Sequence, residues 1–252
     1  MKNLIGTIAA LSVLVMLAFG SQPSSASETG AVQLPYEEID AYFDGREWAT
    51  GSTQCDGNRE VTIIKPIGES TSVHWISFLK TSPMRKTDLT LRQKGDSDCG
   101  MMKCYTTYVG PASYIVMDSN YRDEDAYWIH GVEIGKGKTP GEPMDECRWF
   151  ERMRVALVTE ARTIYITQTA DGAFEYRTFN YNAVRKTPSL IVKNGTSSIN
   201  NGTESFNFNN AGYTYEVNVS ASGKPFAEVL VKKDGATVQK ERVLSYAYAK
   251  KS

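Results

Sequence analysis

The sequence lacks several of the features by which common classes of protein are recognised. Histidine occurs only twice, as His74 and His130. The 28 Lys and Arg residues nearly balance the 29 Asp and Glu residues, and no basic face stands out, which excludes a nucleic-acid-binding protein. No complete motif for a nucleophilic serine, a phosphate-binding loop or a calcium-binding loop is present. These absences favour a function in binding rather than in catalysis.

Long apolar runs are also lacking, except at the N-terminus. Lys2 precedes an apolar run over residues 4–19, which is shorter than the ~20 residues of a membrane-spanning helix. Small residues follow as far as Ala26, in the order typical of a secretory signal peptide over residues 1–26. Ser21 occupies the position where a lipid-bearing cysteine would stand. We therefore expect a soluble periplasmic or secreted product with no transmembrane segment, the alternative being an uncleaved anchor.

Cysteine is scarce and confined to one part of the chain, at positions 55, 99, 104 and 147. In an oxidising compartment such cysteines form disulfides, and four of them can pair in three ways. We favour Cys99–Cys104, which closes a short loop, together with Cys55–Cys147. A zinc site usually takes two close pairs of ligands, and only one close pair exists. We predict neither a metal nor a cofactor.

The pattern of the chain predicts an all-β, mainly antiparallel fold. One short helix is expected over residues 34–44, because Pro35 suits a first turn and Ile39, Tyr42 and Phe43 have helical spacing. From Val61 onward β-branched and aromatic residues alternate with polar ones, which is typical of strands. Predicted strands cover residues 61–67, 73–79, 88–93, 105–109, 114–118, 126–134, 155–159, 163–169 and 174–182.

Within this region the alternation assigns side chains to faces. Ile164 and Ile166 should face one side of the sheet, while Tyr165 and Thr167 face the other. We expect a half-buried sheet with a tight hairpin at Asp171 and the following glycine.

A domain boundary is predicted near Pro188, where the net charge of the chain changes from negative to positive. The disulfide-containing β domain would then cover residues 31–186, and a small cysteine-free β-sandwich or meander would cover residues 187–252. Strands are expected at 189–193, 204–207, 213–220, 226–232 and 237–248. Because so short a domain has a marginal core, we expect it to dock on the first domain.

One cluster of residue types suggests a ligand-binding edge. A predicted strand carries Tyr127, Trp128 and His130, and Asp123 and Asp125 lie just before it. Aromatic rings supply contact area at a low entropic cost, and histidine exchanges protons near neutral pH. These five residues are the candidate binding site.

The leading functional hypothesis is an exported, non-catalytic binding module of the cell envelope, whose partner is another envelope or extracellular macromolecule or a glycan. An inhibitor of a lytic enzyme is one specific form of it. The alternative is a periplasmic or secreted hydrolase that uses His130 with a nearby carboxylate. A third hypothesis is an assembly factor that offers an edge strand of the C-terminal unit to a partner.

Overall fold

The computed structural model describes residues 36–68, 71–80, 85–96, 104–110, 113–118, 129, 132–137, 144–181 and 187–251. In this part of the chain every helix or strand element is a β-strand, and no helix is present that could cross a membrane. The strands are β1 (Tyr36–Phe43), β2 (Trp48–Thr50), β3 (Thr53–Asp56), β4 (Glu60–Pro66), β5 (Ser72–Leu79), β6 (Arg85–Asp96), β7 (Cys104–Val109), β8 (Ser113–Asp118), β9 (Val132–Gly137), β10 (Met144–Glu146), β11 (Met153–Thr159), β12 (Arg162–Gln168), β13 (Phe174–Asn180), β14 (Leu190–Asn200), β15 (Thr203–Asn210), β16 (Tyr213–Ser220), β17 (Ala227–Lys233), β18 (Ala236–Glu241) and β19 (Val243–Lys251).

The strands form two curled antiparallel sheets, so the all-β, antiparallel prediction is confirmed. The eleven-stranded sheet has the order β18-β17-β16-β15-β14-β13-β12-β11-β19-β1-β2. The eight-stranded sheet has the order β10-β9-β8-β7-β6-β5-β4-β3. Most neighbours are consecutive in the chain, as expected of hairpins, but β19 returns to lie between β11 and β1.

The segment predicted to be a helix forms strand β1 instead. Seven residues of β1 pair with β19, and its last three pair with β2. Ile39 and Ala41 face one core, whereas Tyr42 belongs to another on the opposite face of the sheet. The apolar spacing that suggests a helix therefore serves a strand that is covered on both faces. Long-range pairing overrides the local preference.

The eleven-stranded sheet bends over on itself at β14. Asn194 has a φ of 60° there, and the register with β13 shifts beside it. Gly195 is required because a Cβ at this position would collide with the ring of Phe208. The bend encloses a core between β11–β13 and β19 on one side and β15–β17 on the other. Phe174 and Phe206 meet across it with ring centroids 5.2 Å apart.

The eight-stranded sheet curls until its two edges meet, and a disulfide joins them. Cys55 lies in edge strand β3, and Cys147 directly follows the other edge strand, β10. Their Cα atoms are 5.0 Å apart. The amide of Arg148 also donates a hydrogen bond to the carbonyl oxygen of Asp56, at 3.0 Å. This is the long disulfide that the sequence analysis favours. The expected Cys99–Cys104 bridge lies outside the residues whose side chains are described.

The two sheets pack against each other, which buries the centre of the larger one on both faces. Every residue of β11 is buried, and Tyr165 of β12 is only 3 % exposed. Ile164 and Ile166 do face away from Tyr165, as predicted. The expectation of a half-buried sheet is wrong, because Asp56 of the second sheet and Phe150 of the segment after β10 cover the Tyr165 face, which would otherwise meet solvent.

The predicted boundary near residue 187 stays a prediction. In the structure β13 and β14 lie on either side of it, and they pair with each other in one sheet. The predicted strand over 237–248 is two strands, β18 and β19, which separate at Arg242. Among the described strands, β18 lies at the edge of the sheet beside β17, whereas β19 crosses to β11 and β1.

A candidate binding cleft between the two sheets

The five residues of the predicted binding edge lie outside the described part of the chain. They are Asp123, Asp125, Tyr127, Trp128 and His130. Both the binding role of this cluster and the hydrolase hypothesis built on His130 therefore stay predictions. Among the described residues, buried polar groups and a cleft lie at the contact between the two sheets.

We call this contact the inter-sheet seam. Its apolar part contains side chains from β1, β4, β5, β11 and β19, and from the residue after β13. They are Tyr42, Val61, Ile63, Ile76, Phe78, Val158, Tyr181 and Leu244. Two polar arrangements border this cluster: a closed one around Asp56 and an open one around Arg242.

The closed arrangement has Asp56 at its centre, and we call it the Asp56 junction. The carboxylate accepts hydrogen bonds from Arg148 at 3.0 Å, from Thr163 at 2.7 Å and from Tyr165 at 2.8 Å. Lys80 donates to the other carboxylate oxygen. Asp56 and Lys80 come from the smaller sheet, whereas Thr163 and Tyr165 come from β12 of the larger one. The junction thus joins the two sheets through one buried anion.

The electrostatics of the junction favour a charged Asp56 at neutral pH. Burial alone would raise the pKa of its carboxyl group, but the charges of Lys80 and Arg148 and the hydrogen bonds hold that pKa below its ordinary value. Burial and the neighbouring Asp56 raise the pKa of Tyr165 well above its ordinary value, which keeps this phenol neutral.

A cavity of about 30 Å³ lies beside Asp56 and Tyr165. This volume is enough for an ordered water but not for an organic ligand. Four donors contact one carboxylate, and the cavity has no room for a substrate. The geometry of the junction therefore indicates a structural role, which is to hold the two sheets together.

The open arrangement is a cleft of about 420 Å³ at the edge of the seam, which is within the usual size range of ligand pockets. Five separate parts of the chain converge on it. Its lining residues are Tyr42, Phe43, Asp44, Phe78, Lys86, Glu160, Arg242 and Leu244.

The floor and the rim of the cleft differ in chemistry. Tyr42, Phe78 and Leu244 form the floor, where they are 4 %, 6 % and 6 % exposed. They are held rigidly because they also belong to the apolar seam. The rim carries charges of both signs: Lys86 and Arg242 are cationic, and Asp44 and Glu160 are anionic. Their side chains reach solvent, with 53 % exposure for Arg242 and 57 % for Glu160.

Arg242 is positioned by three neighbours on the rim. Its guanidinium group donates a hydrogen bond to Glu160 at 3.3 Å, and its centre lies 5.7 Å from the centroid of the Phe43 ring. One of its nitrogens also lies beside Gly45, in the turn between β1 and β2, where an added Cβ would be 3.6 Å away. The ring and the turn limit the orientations that this long side chain can adopt, so that its planar group is presented at the cleft.

Lys86, the other cation of the rim, comes from β6 of the eight-stranded sheet. Its ammonium group donates to the hydroxyl of Tyr42 at 3.3 Å and lies 3.4 Å from the carboxylate of Asp88. Partial burial lowers the pKa of Lys86, but the contacts with Tyr42 and Asp88 outweigh this effect and raise the pKa overall.

Asp44, an anion of the rim, makes hydrogen bonds within its own turn. Its carboxylate accepts from the backbone amides of Arg46 and Glu47.

Sequence reasoning does not find this cleft. The helix prediction places Tyr42 and Phe43 on a local amphipathic face, and Arg242 falls inside a strand predicted to be continuous. One signal bears on it: polar residues at 239–242 interrupt the apolar pattern between Val238 and Val243, and β18 ends within them at Glu241.

No protein-family model, curated protein or solved structure matches the chain. Among the described residues no group of three or more His, Cys, Asp or Glu side chains could hold a metal ion.

Proposed function

We propose that the protein is an exported, non-catalytic binding module of the cell envelope, and that the cleft is where it binds a macromolecule or a glycan. The observation that carries the proposal is a rigid apolar floor surrounded by exposed charges. An apolar patch inside a polar rim is the common anatomy of binding surfaces. Because the floor is fixed by the seam, a ligand would lose little affinity to reorganisation of the protein.

The proposed location has its own support. The N-terminal sequence has the pattern of a signal peptide, and the Cys55–Cys147 disulfide requires an oxidising compartment in which to persist. Envelope and extracellular space are such compartments.

The test is to fill the cleft and to measure what the mature protein captures from envelope extract. Leu244→Trp would replace a floor side chain with a much bulkier one and so reduce the volume of the cleft. Val238→Trp is the matched control, because Val238 is 56 % exposed on β18 and does not line the cleft. We expect capture to be lost with the first variant and retained with the second.

Folding of both variants is checked by the cooperativity of urea unfolding. If Leu244→Trp does not fold, Phe43→Ala replaces it: this change removes the partly buried ring beside Arg242 instead of filling the cleft, and it should also reduce capture. Undiminished capture by a folded, cleft-altered variant would refute the proposal.

A further inference from the structure

We infer that the cleft recognises a polypeptide segment of mixed charge, and that Arg242 binds a carboxylate of that segment. This inference rests on the proposed function and narrows it, since the proposed site alone would also admit a glycan. Three features of the cleft carry it: the two signs of charge on the rim, the placement of Arg242, and the apolar floor.

The rim is the first feature. Lys86 and Arg242 are accompanied by Asp44 and Glu160, so the four charges cancel. A polyanionic glycan or an anionic membrane surface would bring its charges against two carboxylates as well as two cations. Like charges brought together at an interface oppose binding. A polypeptide can place an acidic side chain near the cations and a basic one near the carboxylates, and so complements the whole rim.

Arg242 is the second feature. A guanidinium group carries five N–H donors in a planar fork that matches the two oxygens of a carboxylate. Among the described residues the carboxylate that Arg242 contacts is Glu160, through one hydrogen bond of 3.3 Å. This contact uses one donor of the fork and is open to solvent. A ligand carboxylate that lies over the aromatic floor, away from bulk water, would bind more strongly than Glu160 does.

The floor is the third feature. Tyr42, Phe78 and Leu244 line the cleft together with the two cations, which come from different sheets. An apolar side chain next to the ligand's acidic residue would cover this floor. Such an arrangement, an arginine and aromatic rings around an apolar anchor, is typical of the residues that dominate protein–protein binding. A glycan offers no apolar side chain for the floor and no basic group for the two carboxylates of the rim.

The test uses two defined sets of probes: a random dodecapeptide library displayed on phage, and oligogalacturonate as an anionic glycan. Selection is carried out on the mature wild-type protein. We expect enriched peptides in which Asp or Glu lies beside Leu, Ile or Phe, with Lys or Arg nearby. Affinities of the synthesised peptides are then measured by titration calorimetry at low and moderate salt.

Substitutions of Arg242 test whether this residue contacts the carboxylate of the peptide. We expect Arg242→Gln to weaken the enriched peptides about tenfold or more, and Arg242→Lys to weaken them several-fold because the fork is lost. The matched control is Arg152→Gln, since Arg152 is exposed in the turn before β11 and is not part of the cleft. It should leave the affinity unchanged.

Two results would overturn the inference: enriched peptides without an acidic residue, or oligogalacturonate binding that exceeds that of every peptide. Failure of the proposed function is recognised separately. If filling the cleft abolishes capture from extract while these probes behave against expectation, the ligand class is wrong and the site is right. If filling the cleft has no effect on capture, the site itself is wrong.

Discussion

The Asp56 junction and the cleft border the same apolar seam, yet they use charge in opposite ways. At the junction one carboxylate is surrounded by four donors, and the side chains of Asp56 and Lys80 are 4 % and 2 % exposed. At the cleft Arg242 and Glu160 share a single longer hydrogen bond, and both are more than half exposed. The first arrangement leaves no group for a ligand to contact. The second leaves most of its donors and acceptors available.

This difference in burial predicts that the junction contributes to stability and that the cleft rim contributes to binding. Removing one partner of a buried ion pair leaves an uncompensated charge and strongly destabilises a protein, whereas an exposed pair contributes little. We therefore expect substitutions at the junction to unfold the protein, and substitutions at the cleft rim to change binding while the fold persists.

The largest effect is expected from the disulfide that brings the junction together. Asp56 and Arg148 each directly follow one of its cysteines, and the bridge closes a loop with a sequence separation of 92. By the chain-entropy model, Cys55→Ser with Cys147→Ser should lower the free energy of unfolding by about 4.5 kcal/mol. Urea unfolding at neutral pH measures this. The comparison is the double serine variant at Cys99 and Cys104, where the predicted short bridge would contribute about 2 kcal/mol. Equal losses would contradict the role given to the long bridge.

The next effect in size is that of Asp56 itself. Asp56→Ala leaves Lys80 and Arg148 without their shared anion inside the seam, and we expect a loss of about 4 kcal/mol in the free energy of unfolding. Asp88→Ala is the matched control, because Asp88 also pairs with a lysine but is 45 % exposed. Its loss should stay below about 1 kcal/mol. A small effect at Asp56 would show that the junction does not hold the sheets together.

The lowered pKa of Asp56 predicts a pH dependence of smaller size. A carboxyl group whose pKa is lower in the folded state stabilises the fold above its unfolded pKa of about 3.9, and this stabilisation is lost as the pH falls through the folded pKa. Asp56→Asn does not titrate. Between pH 6 and pH 2, urea unfolding should show the wild type losing stability more steeply than Asp56→Asn, mainly below about pH 4. Parallel curves would be inconsistent with a charged Asp56 in the fold.

The features of the fold that the sequence predicts correctly are those that depend on neighbouring residues. Strand β16 has the bounds predicted for it, and Gly172 has the positive φ expected of its hairpin. Both follow from neighbouring residues. The alternation of Ile164 and Tyr165 is equally local and is confirmed. The burial of the Tyr165 face depends on residues that are distant in the sequence. Its hydroxyl donates to Asp56, which is 109 residues away.

The cleft is inaccessible to sequence reasoning for the same reason. Arg242 and Glu160 are 82 residues apart, and Lys86 and Tyr42 are 44 apart. Periodicity describes which face of a strand a residue occupies, but not which other strand that face meets. The helix predicted at β1 fails in the same way: its apolar residues serve two different cores, and a single amphipathic face was inferred from them.

The smallest expected effect on stability is at the cleft rim, and it gives the sharpest contrast with the junction. Arg242→Gln removes the ion pair with Glu160 and the cation–π contact with Phe43, both open to solvent. We expect a change of no more than about 1 kcal/mol in the free energy of unfolding, measured by urea denaturation. Glu160→Gln should change it by less than about 0.5 kcal/mol, because only the exposed pair is lost. A loss at Arg242 comparable to that at Asp56 would mean that the rim is structural, and it would place the cleft in the same class as the junction.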